Sequence, residues 1–248
     1  SSAASDVYKR QLLDPVYKAY TKDLCGYAER GEKEWKRLLG SFFAEGVNIA
    51  VVKNDEGQIE GYAVYRLGAP EIPVTEFVYT TRRAQRGLLN YFYNHRSQGE
   101  SIRWNEGLHD TGYRFVPDGK TGHTTMPYMM ARIVDVETAL TTVPVNPEAV
   151  MMPITLNIKV TDTLCDWNNG VFALSLGEST LPNVKRVSAE SVDEIDITID
   201  IGGLTVLLMG AVSAKDLVFE GKLQGESHWI DYLDMVYPKQ NTYINEWW

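Results

Sequence analysis

The sequence predicts an α+β fold built from two successive parts. In the first part, about residues 12–142, helix-like and strand-like segments alternate, which is typical of a mixed α/β structure. In the second part, residues 150–248, strands with strictly alternating apolar and polar residues come before helices. The segment 141–152 carries Pro144 and Pro147 and has the composition of a domain connector.

The first part is expected to alternate helices with strands. One helix is predicted to begin at Asp14 and Pro15, an N-cap followed by proline at the first helical position. A second covers 32–44, where apolar residues recur on one helix face. Strands are predicted at 47–53, 59–67, 74–79 and 101–104, with a helix from about residue 82 to 95 and a loop at 105–125. The first two strands are almost continuously apolar, which predicts a sheet covered on both faces.

The second part is expected to begin after a strand at 126–135 and a short helix at 136–140. Strands follow at 154–160, 171–176 and 195–201, and isoleucine alternates with polar residues in the last of them. Helices are predicted from Leu204, from Ser213 and from Ser227. The second of these has a capping-box pattern with Asp216 and a closing glycine at Gly221.

Composition excludes several classes of function. The formal net charge of −9 argues against a nucleic-acid partner, because a binding surface for phosphates needs a basic patch. The four histidines and two cysteines have no metal-ligand spacing, so no metal is expected. No apolar run approaches the roughly 18–20 residues that span a bilayer, and no signal peptide is visible, so we expect a cytoplasmic protein with no membrane partner.

The two ends of the chain are unusual. Residues 1–11 begin without methionine and show no periodicity, so we expect a non-native or disordered leader. The chain finishes at Asn245, Glu246, Trp247 and Trp248, and two exposed tryptophans are costly in water. We expect this terminus to dock. A docked Trp248 carboxylate has the chemistry of a proton acceptor, and the alternative is that the rings only staple the terminus to the core.

The start of the helix after strand 74–79 is the candidate phosphate site. Helix N-termini bind anions, and Arg82, Arg83, Arg86 and Gly87 are similar to the coenzyme A loop of GNAT acetyltransferases. The match is incomplete, since Ala84 stands three residues before the glycine and a leucine follows it by two. The alternative is a solvated basic helix start.

Several segments resemble Eis-type (enhanced intracellular survival) N-acetyltransferases. Residues 14–20, 62–67 and 83–95 are similar to the middle region of that family. Three further segments are more specific and extend the resemblance over residues 12–248: Met-Ala-Arg-Ile-Val-Asp-Val at 130–136, Val-Thr-Asp-Thr-Leu-Cys-Asp-Trp-Asn at 160–168, and Leu-Met-Gly-Ala-Val-Ser-Ala at 208–214.

The resemblance implies a GNAT-like domain at 12–142, with a degenerate acyl-CoA loop, and a sterol-carrier-protein-like domain at 150–248. It further implies that the chain is a fragment lacking the family's N-terminal GNAT domain, and so is inactive alone. Acetyl-CoA would be the co-substrate, bound by that missing domain, and the full-length protein would be a homo-oligomer.

The resemblance also implies site residues. The Trp248 carboxylate would be the general base, and Glu246 and Trp247 would help to bind an amine, either aminoglycoside-like or a lysine side chain. The family's general acid, a tyrosine, has no identifiable counterpart. The alternative function is a non-catalytic sterol-carrier-like module that binds an apolar ligand or serves as scaffold.

Overall fold

The structure, a computed structural model, describes residues 3–42, 46–115, 121–126, 129–177 and 179–246, without the side chains of residues 3–9, 42, 113 and 115. The backbone divides into two compact units. The first unit runs up to Thr125 and also contains the residues from Thr242 onward, and the second unit is Met126–Asn241. Residues 126–142 thus belong to the second unit, and the end of the chain belongs to the first.

The first unit is a four-stranded sheet with helices on both faces. Its elements are α1 (Ala3–Thr21), α2 (Glu32–Phe42), β1 (Val47–Lys53), β2 (Ile59–Arg66), β3 (Glu71–Tyr79), α3 (Arg82–Asn94) and β4 (Ser101–Trp104). The strand order is β1-β2-β3-β4. Neighbouring strands are antiparallel except β3 and β4, which are parallel.

Alternation along β2 explains why both faces of this sheet are covered. Tyr62 and Val64 pack with residues of α1 and α2, including the fully buried Trp35. Ala63 and Tyr65, which point to the other face, pack with residues of α3. The prediction of a sheet covered on both faces, made from the nearly continuous apolar run of this strand, is thus confirmed.

The second unit is a five-stranded sheet with helices. Its elements are α4 (Val136–Thr142), β5 (Ile154–Thr161), β6 (Gly170–Leu176), β7 (Asn183–Val187), β8 (Ile197–Asp200), α5 (Ile201–Leu208), α6 (Ala214–Phe219), β9 (Leu223–Gly225) and α7 (Ser227–Val236). The strand order is β7-β6-β5-β8-β9, with β5 and β8 parallel. The capping box of Ser213 and Asp216 is confirmed, as is the left-handed backbone at Gly221.

Two predicted elements differ in the structure. No strand occurs among the described residues of 126–135. The carbonyl of Val134 instead accepts hydrogen bonds from the side chains of Trp167 and Asn168, so side chains satisfy this backbone rather than a neighbouring strand. The first helix starts at Ala3, before the predicted N-cap at Asp14, and Pro15 lies inside it. Residues 3–11, expected to be a non-native or disordered leader, are part of this helix.

Candidate functional site

The start of α3 carries its own hydrogen-bond partners. The Thr81 side chain caps the helix by accepting from the Ala84 amide. The Glu60 carboxylate accepts from the Thr81 hydroxyl at 3.0 Å and from Arg83 at 2.7 Å. The hydrogen bond from Arg83 lowers the pKa of Glu60, so that the carboxylate is negative at neutral pH. A negative charge beside the helix start disfavours a pyrophosphate there.

The glycine of the predicted phosphate loop faces the sheet. A Cβ built on Gly87 would lie 3.0 Å from Val52 Cγ2 of β1. Its small size therefore serves the packing of α3 against the sheet. Of the three arginines at this helix start, Arg83 forms ion pairs with Glu60 and Asp55.

On the side where β4 pairs with the first half of β3, the second half of β3 pairs with no described strand. The end of the chain contacts β3 there. β4 pairs with Glu71–Val74 and stops, while β3 continues to Tyr79. Thr75 has no partner in the β2 register, which marks it as a bulge residue. Its carbonyl accepts a hydrogen bond from the Asn245 side-chain amide at 2.7 Å.

We call the described end of the chain, Thr242–Glu246, the tail. It begins with a parallel bridge between Thr242 and Cys25, and the Tyr243 amide donates to the Cys25 carbonyl at 2.9 Å. The Tyr243 ring is buried and meets Tyr20 edge-on, with ring centroids 5.4 Å apart. The tail is therefore anchored in the first unit by both backbone and apolar contacts.

A cluster of buried ion pairs lies at Glu246, the last described residue of the tail. The Arg30 Nε donates to Glu246 Oε1 at 2.7 Å, and its two terminal nitrogens donate to the Glu76 carboxylate of β3. The Tyr62 hydroxyl donates to Glu76 at 2.7 Å. The side chains of Arg30, Glu76 and Glu246 are 1, 3 and 2 % exposed. We call these four residues the Arg30 cluster.

Aromatic rings complete the surroundings of Arg30. Its guanidinium carbon lies 3.8 Å from the centre of the Tyr17 ring and 5.0 Å from that of Trp35. Burial alone would lower the pKa of Arg30, but the charge of Glu76 and its hydrogen bonds raise it. Arg30 thus stays positively charged between two carboxylates.

A second polar cluster lies at the carboxyl ends of β3 and β4. The Tyr79 hydroxyl donates to Asp110, and Trp104 Nε1 donates to Glu106 at 3.0 Å. Burial, and then the charge of Asp110, raise the pKa of Glu106. Burial lowers the pKa of His109. Among the described residues, no three or more histidine, cysteine, aspartate and glutamate side chains are arranged to hold a metal ion.

The structure locates only part of the predicted site. Trp247 and Trp248 lie outside the described residues. Glu246, predicted to help bind an amine, is buried and paired with Arg30 and, at 3.4 Å, with Arg37. Sequence reasoning missed Arg30, Glu76 and Tyr62. The one available signal was Glu76, a single acidic residue inside an apolar strand.

Two family models match the chain. Residues 26–133 match an acetyltransferase (GNAT) domain, and residues 136–245 match a sterol carrier protein domain. The chain is thus a mixed α/β protein with a GNAT domain followed by a sterol-carrier-like domain, which confirms the predicted fold class. The comparison with curated proteins returns no match.

Solved structures share this fold at low identity. A probable N-acyltransferase from Enterococcus faecalis V583 is 23% identical with a TM-score of 0.80, over 95% of this chain and 59% of that one. A GCN5-related N-acetyltransferase from Anabaena variabilis is 18% identical with a TM-score of 0.78, over 97% and 60%. Eis1 from Mycobacterium abscessus is 20% identical with a TM-score of 0.64, over 95% and 60%. The chain therefore spans about three fifths of the length of these structures.

The family match corrects one prediction. The expectation that the family's acetyl-CoA-binding GNAT domain is missing from this chain is wrong, because residues 26–133 match an acetyltransferase (GNAT) domain. The associated expectations, that a missing domain binds acetyl-CoA and that the chain is inactive alone, have no support in the match. In the described ranges, no helix combines the length and apolar character needed to cross a membrane.

Proposed function

We propose that this chain takes part in acetyl-CoA-dependent transfer of an acetyl group to a primary amine, and that the Trp248 carboxylate is the general base. The GNAT domain at 26–133 supports the acetyl transfer. The observation that carries the role of the terminus is the anchoring of the tail in the first unit, which contains most of that domain. An aminoglycoside-like amine or a lysine side chain is the proposed acceptor.

The chemistry requires a proton acceptor. An alkylamine has a pKa of about 10.4 and is mostly protonated, hence not nucleophilic, at neutral pH. In the proposed reaction the carboxylate takes one proton from the ammonium group, and the freed lone pair attacks the thioester carbonyl. The new carbon–nitrogen bond forms as the carbon–sulfur bond breaks. Coenzyme A leaves as the thiolate, and the second proton that the nitrogen loses passes through solvent to this thiolate, which gives the free thiol.

Within this proposal Glu246 anchors the tail instead of binding the amine. One of its carboxylate oxygens accepts from Arg30 and the other from Arg37. A carboxylate with both oxygens engaged and 2 % of its side chain exposed is poorly placed to receive a substrate cation. Trp247 remains the proposed aromatic contact for the amine.

Adding one glycine after Trp248 tests the role of the carboxylate. The extension moves the charge by one residue and leaves every side chain in place. General acid–base catalysis contributes roughly 10²–10⁴-fold, so kcat should fall by about a hundredfold or more while the KM for acetyl-CoA is unchanged. Acetylation would be measured by release of coenzyme A thiol with an aminoglycoside and with a lysine peptide.

The matched control adds one glycine at the amino terminus instead. It should keep full activity. Full activity in the carboxyl-terminal extension as well would reject the carboxylate as the base. Absence of acetylation by the unmodified chain with every amine tested would reject the proposed function of this chain.

The alternative function, binding of an apolar ligand by the second unit, has less support. A cavity of about 280 Å³ lies among residues of that unit, including Val145, Leu208, Val236 and Tyr237. Ligand pockets usually have volumes of about 300–1,000 Å³. This volume lies at the lower limit of that range, so the cavity gives little support for binding of a sterol or a long acyl chain, and a scaffold role for this unit is the simpler alternative.

A further inference from the structure

We propose that Arg30 is a positioning residue that fixes the end of the chain. Its guanidinium binds Glu76 of β3 and Glu246 of the tail at the same time. It therefore fixes the position of Glu246, two residues before the end of the sequence. The consequence for catalysis rests on the proposed function above. The anchoring itself does not.

The geometry uses separate parts of one guanidinium. The two terminal nitrogens bind the Glu76 carboxylate, and the Nε atom remains for Glu246. A planar fork of fixed donors suits this double recognition, and a lysine ammonium does not provide it. Arg30 lies in the loop between α1 and α2, 46 residues from Glu76 and 216 from Glu246, so it joins three distant parts of the sequence.

If the charge of Arg30 is removed, the two carboxylates should separate, and the one that is less firmly attached should move. Without its positive charge, two carboxylates would remain buried at one place, which is strongly unfavourable. Glu76 is held in β3, whose backbone pairs with β2 on one side and, in its first half, with β4 on the other. Glu246 lies at the end of a short segment, which the Tyr243 amide and the Asn245 side chain attach to neighbouring backbone. The tail is therefore the part that should release.

The side chains around Arg30 hold its guanidinium in one orientation. Tyr17 stacks on the guanidinium, and Tyr62 binds an oxygen of Glu76. Both contacts restrict the orientation of Arg30, the first directly and the second through Glu76. An ion pair at the protein surface would form without such supporting contacts.

Hydrogen exchange of the C-terminal peptide, residues 238–248, tests the anchoring without any activity. The Arg30→Met variant keeps the length of the side chain but loses its charge and donors. We expect the Tyr243 amide to exchange on the order of a hundredfold faster in this variant, while the peptide covering β2 keeps its protection. Arg30→Lys should fall between the two, because it keeps only the charge.

Arg103→Met is the matched control. It removes an arginine of the same unit whose side chain is 70% exposed and which pairs with Glu71. It should leave exchange of the C-terminal peptide unchanged. If Arg30→Met does not fold, Glu246→Met is the second variant, since it leaves the pair of Arg30 with Glu76 in place. Faster tail exchange is expected there too.

Each result decides the proposal. Unchanged tail exchange in the folded variants overturns the anchoring, and equal loss of protection in β2 shows general destabilisation and overturns positioning. If the tail is released, kcat for acetylation should fall with unchanged KM for acetyl-CoA, and unchanged kcat would overturn the catalytic consequence. A wild-type chain without acetylation activity would reject the proposed function but leave the exchange result to decide the anchoring.

Discussion

At the scale of single residues, Asp162 shows how one buried carboxylate organises the start of the second unit. It accepts hydrogen bonds from Arg132, from Asn168 and from the backbone amides of Leu164 and Cys165. Asn168 in turn accepts from the amide of Val136, the first residue of α4. The arginine, aspartate and asparagine of the two motifs that resemble the Eis-type family thus form a structural cluster, with no role in catalysis required of them.

The Asp162→Asn substitution should destabilise the second unit at neutral pH. Burial alone would raise the pKa of Asp162, but hydrogen bonds from Asn168, from two backbone amides and from Arg132 outweigh it and hold the pKa well below its usual range. The charged form therefore stabilises the folded state above about pH 4, near the pKa of an unfolded aspartate, and this contribution is lost as the pH falls towards the folded pKa.

The measurement is urea unfolding of wild type and variant between about pH 7 and pH 3. The midpoint of the variant should be lower at neutral pH. The difference should narrow below about pH 4, because the unfolded wild-type carboxylate then takes up a proton while the folded one stays charged. Asp193→Asn, an exposed position of the same unit, serves as the control and should change little at any pH. A constant difference across the range would contradict the assignment.

At the scale of elements, α3 is positioned by one close contact with the sheet. Gly87 lies over Val52, and Leu88 and Phe92 are buried among residues of β2 and β3. Sequence analysis predicted this helix with nearly the same bounds. The role of the glycine was not evident from sequence, because a glycine near a basic helix start is also what a phosphate loop requires.

Gly87→Leu should destabilise the first unit by about 1–3 kcal/mol, since a larger side chain must displace Val52. The matched control is Gly40→Leu in α2, where a Cβ would meet no atom within 4 Å. That variant should be neutral or stabilising by about 0.5 kcal/mol, because leucine has the higher helix propensity. Equal effects on the urea midpoint would show that packing against the sheet is not what the glycine provides.

Other elements show where sequence patterns fail. Strict alternation located β5 and β8, because one face of each is buried. It missed β7, Asn183–Val187, an edge strand with two cationic residues and little apolar signal. The apolar run at 126–135 was read as a strand because periodicity cannot report that side chains such as Asn168 will satisfy its backbone.

At the scale of the whole molecule, the first unit is discontinuous in sequence. Its last contribution comes from Thr242 onward, after the entire second unit. Sequence analysis predicted that the tryptophan-rich terminus docks, since apolar surface at a free end indicates burial. It could not identify Arg30 as the partner, because an ion pair across 216 residues leaves no local pattern. It therefore assigned the tail to the neighbouring domain in sequence.

This discontinuity predicts an asymmetric response to truncation after Asn241. The first unit would lose the buried Tyr243 ring, its hydrogen bond to Cys25 and the partner of Arg30. Burial of one aromatic side chain contributes about 1.5–3 kcal/mol, and a buried charge left partly unpaired adds to the cost, so we expect a loss of about 2–5 kcal/mol. Hydrogen exchange in increasing urea, followed on peptides of β2 and of β5, would report each unit separately.

The expected result is that β2 loses protection at lower urea while β5 is unchanged. Truncation after Asn245 is the matched control, because it keeps Tyr243 and removes the ion pair, and it should give a smaller loss. Equal loss of protection in β2 and β5 would mean that the tail does not stabilise the first unit specifically. No effect on β2 would mean that the tail is held by the first unit without stabilising it, which the burial of Tyr243 and Glu246 makes physically difficult.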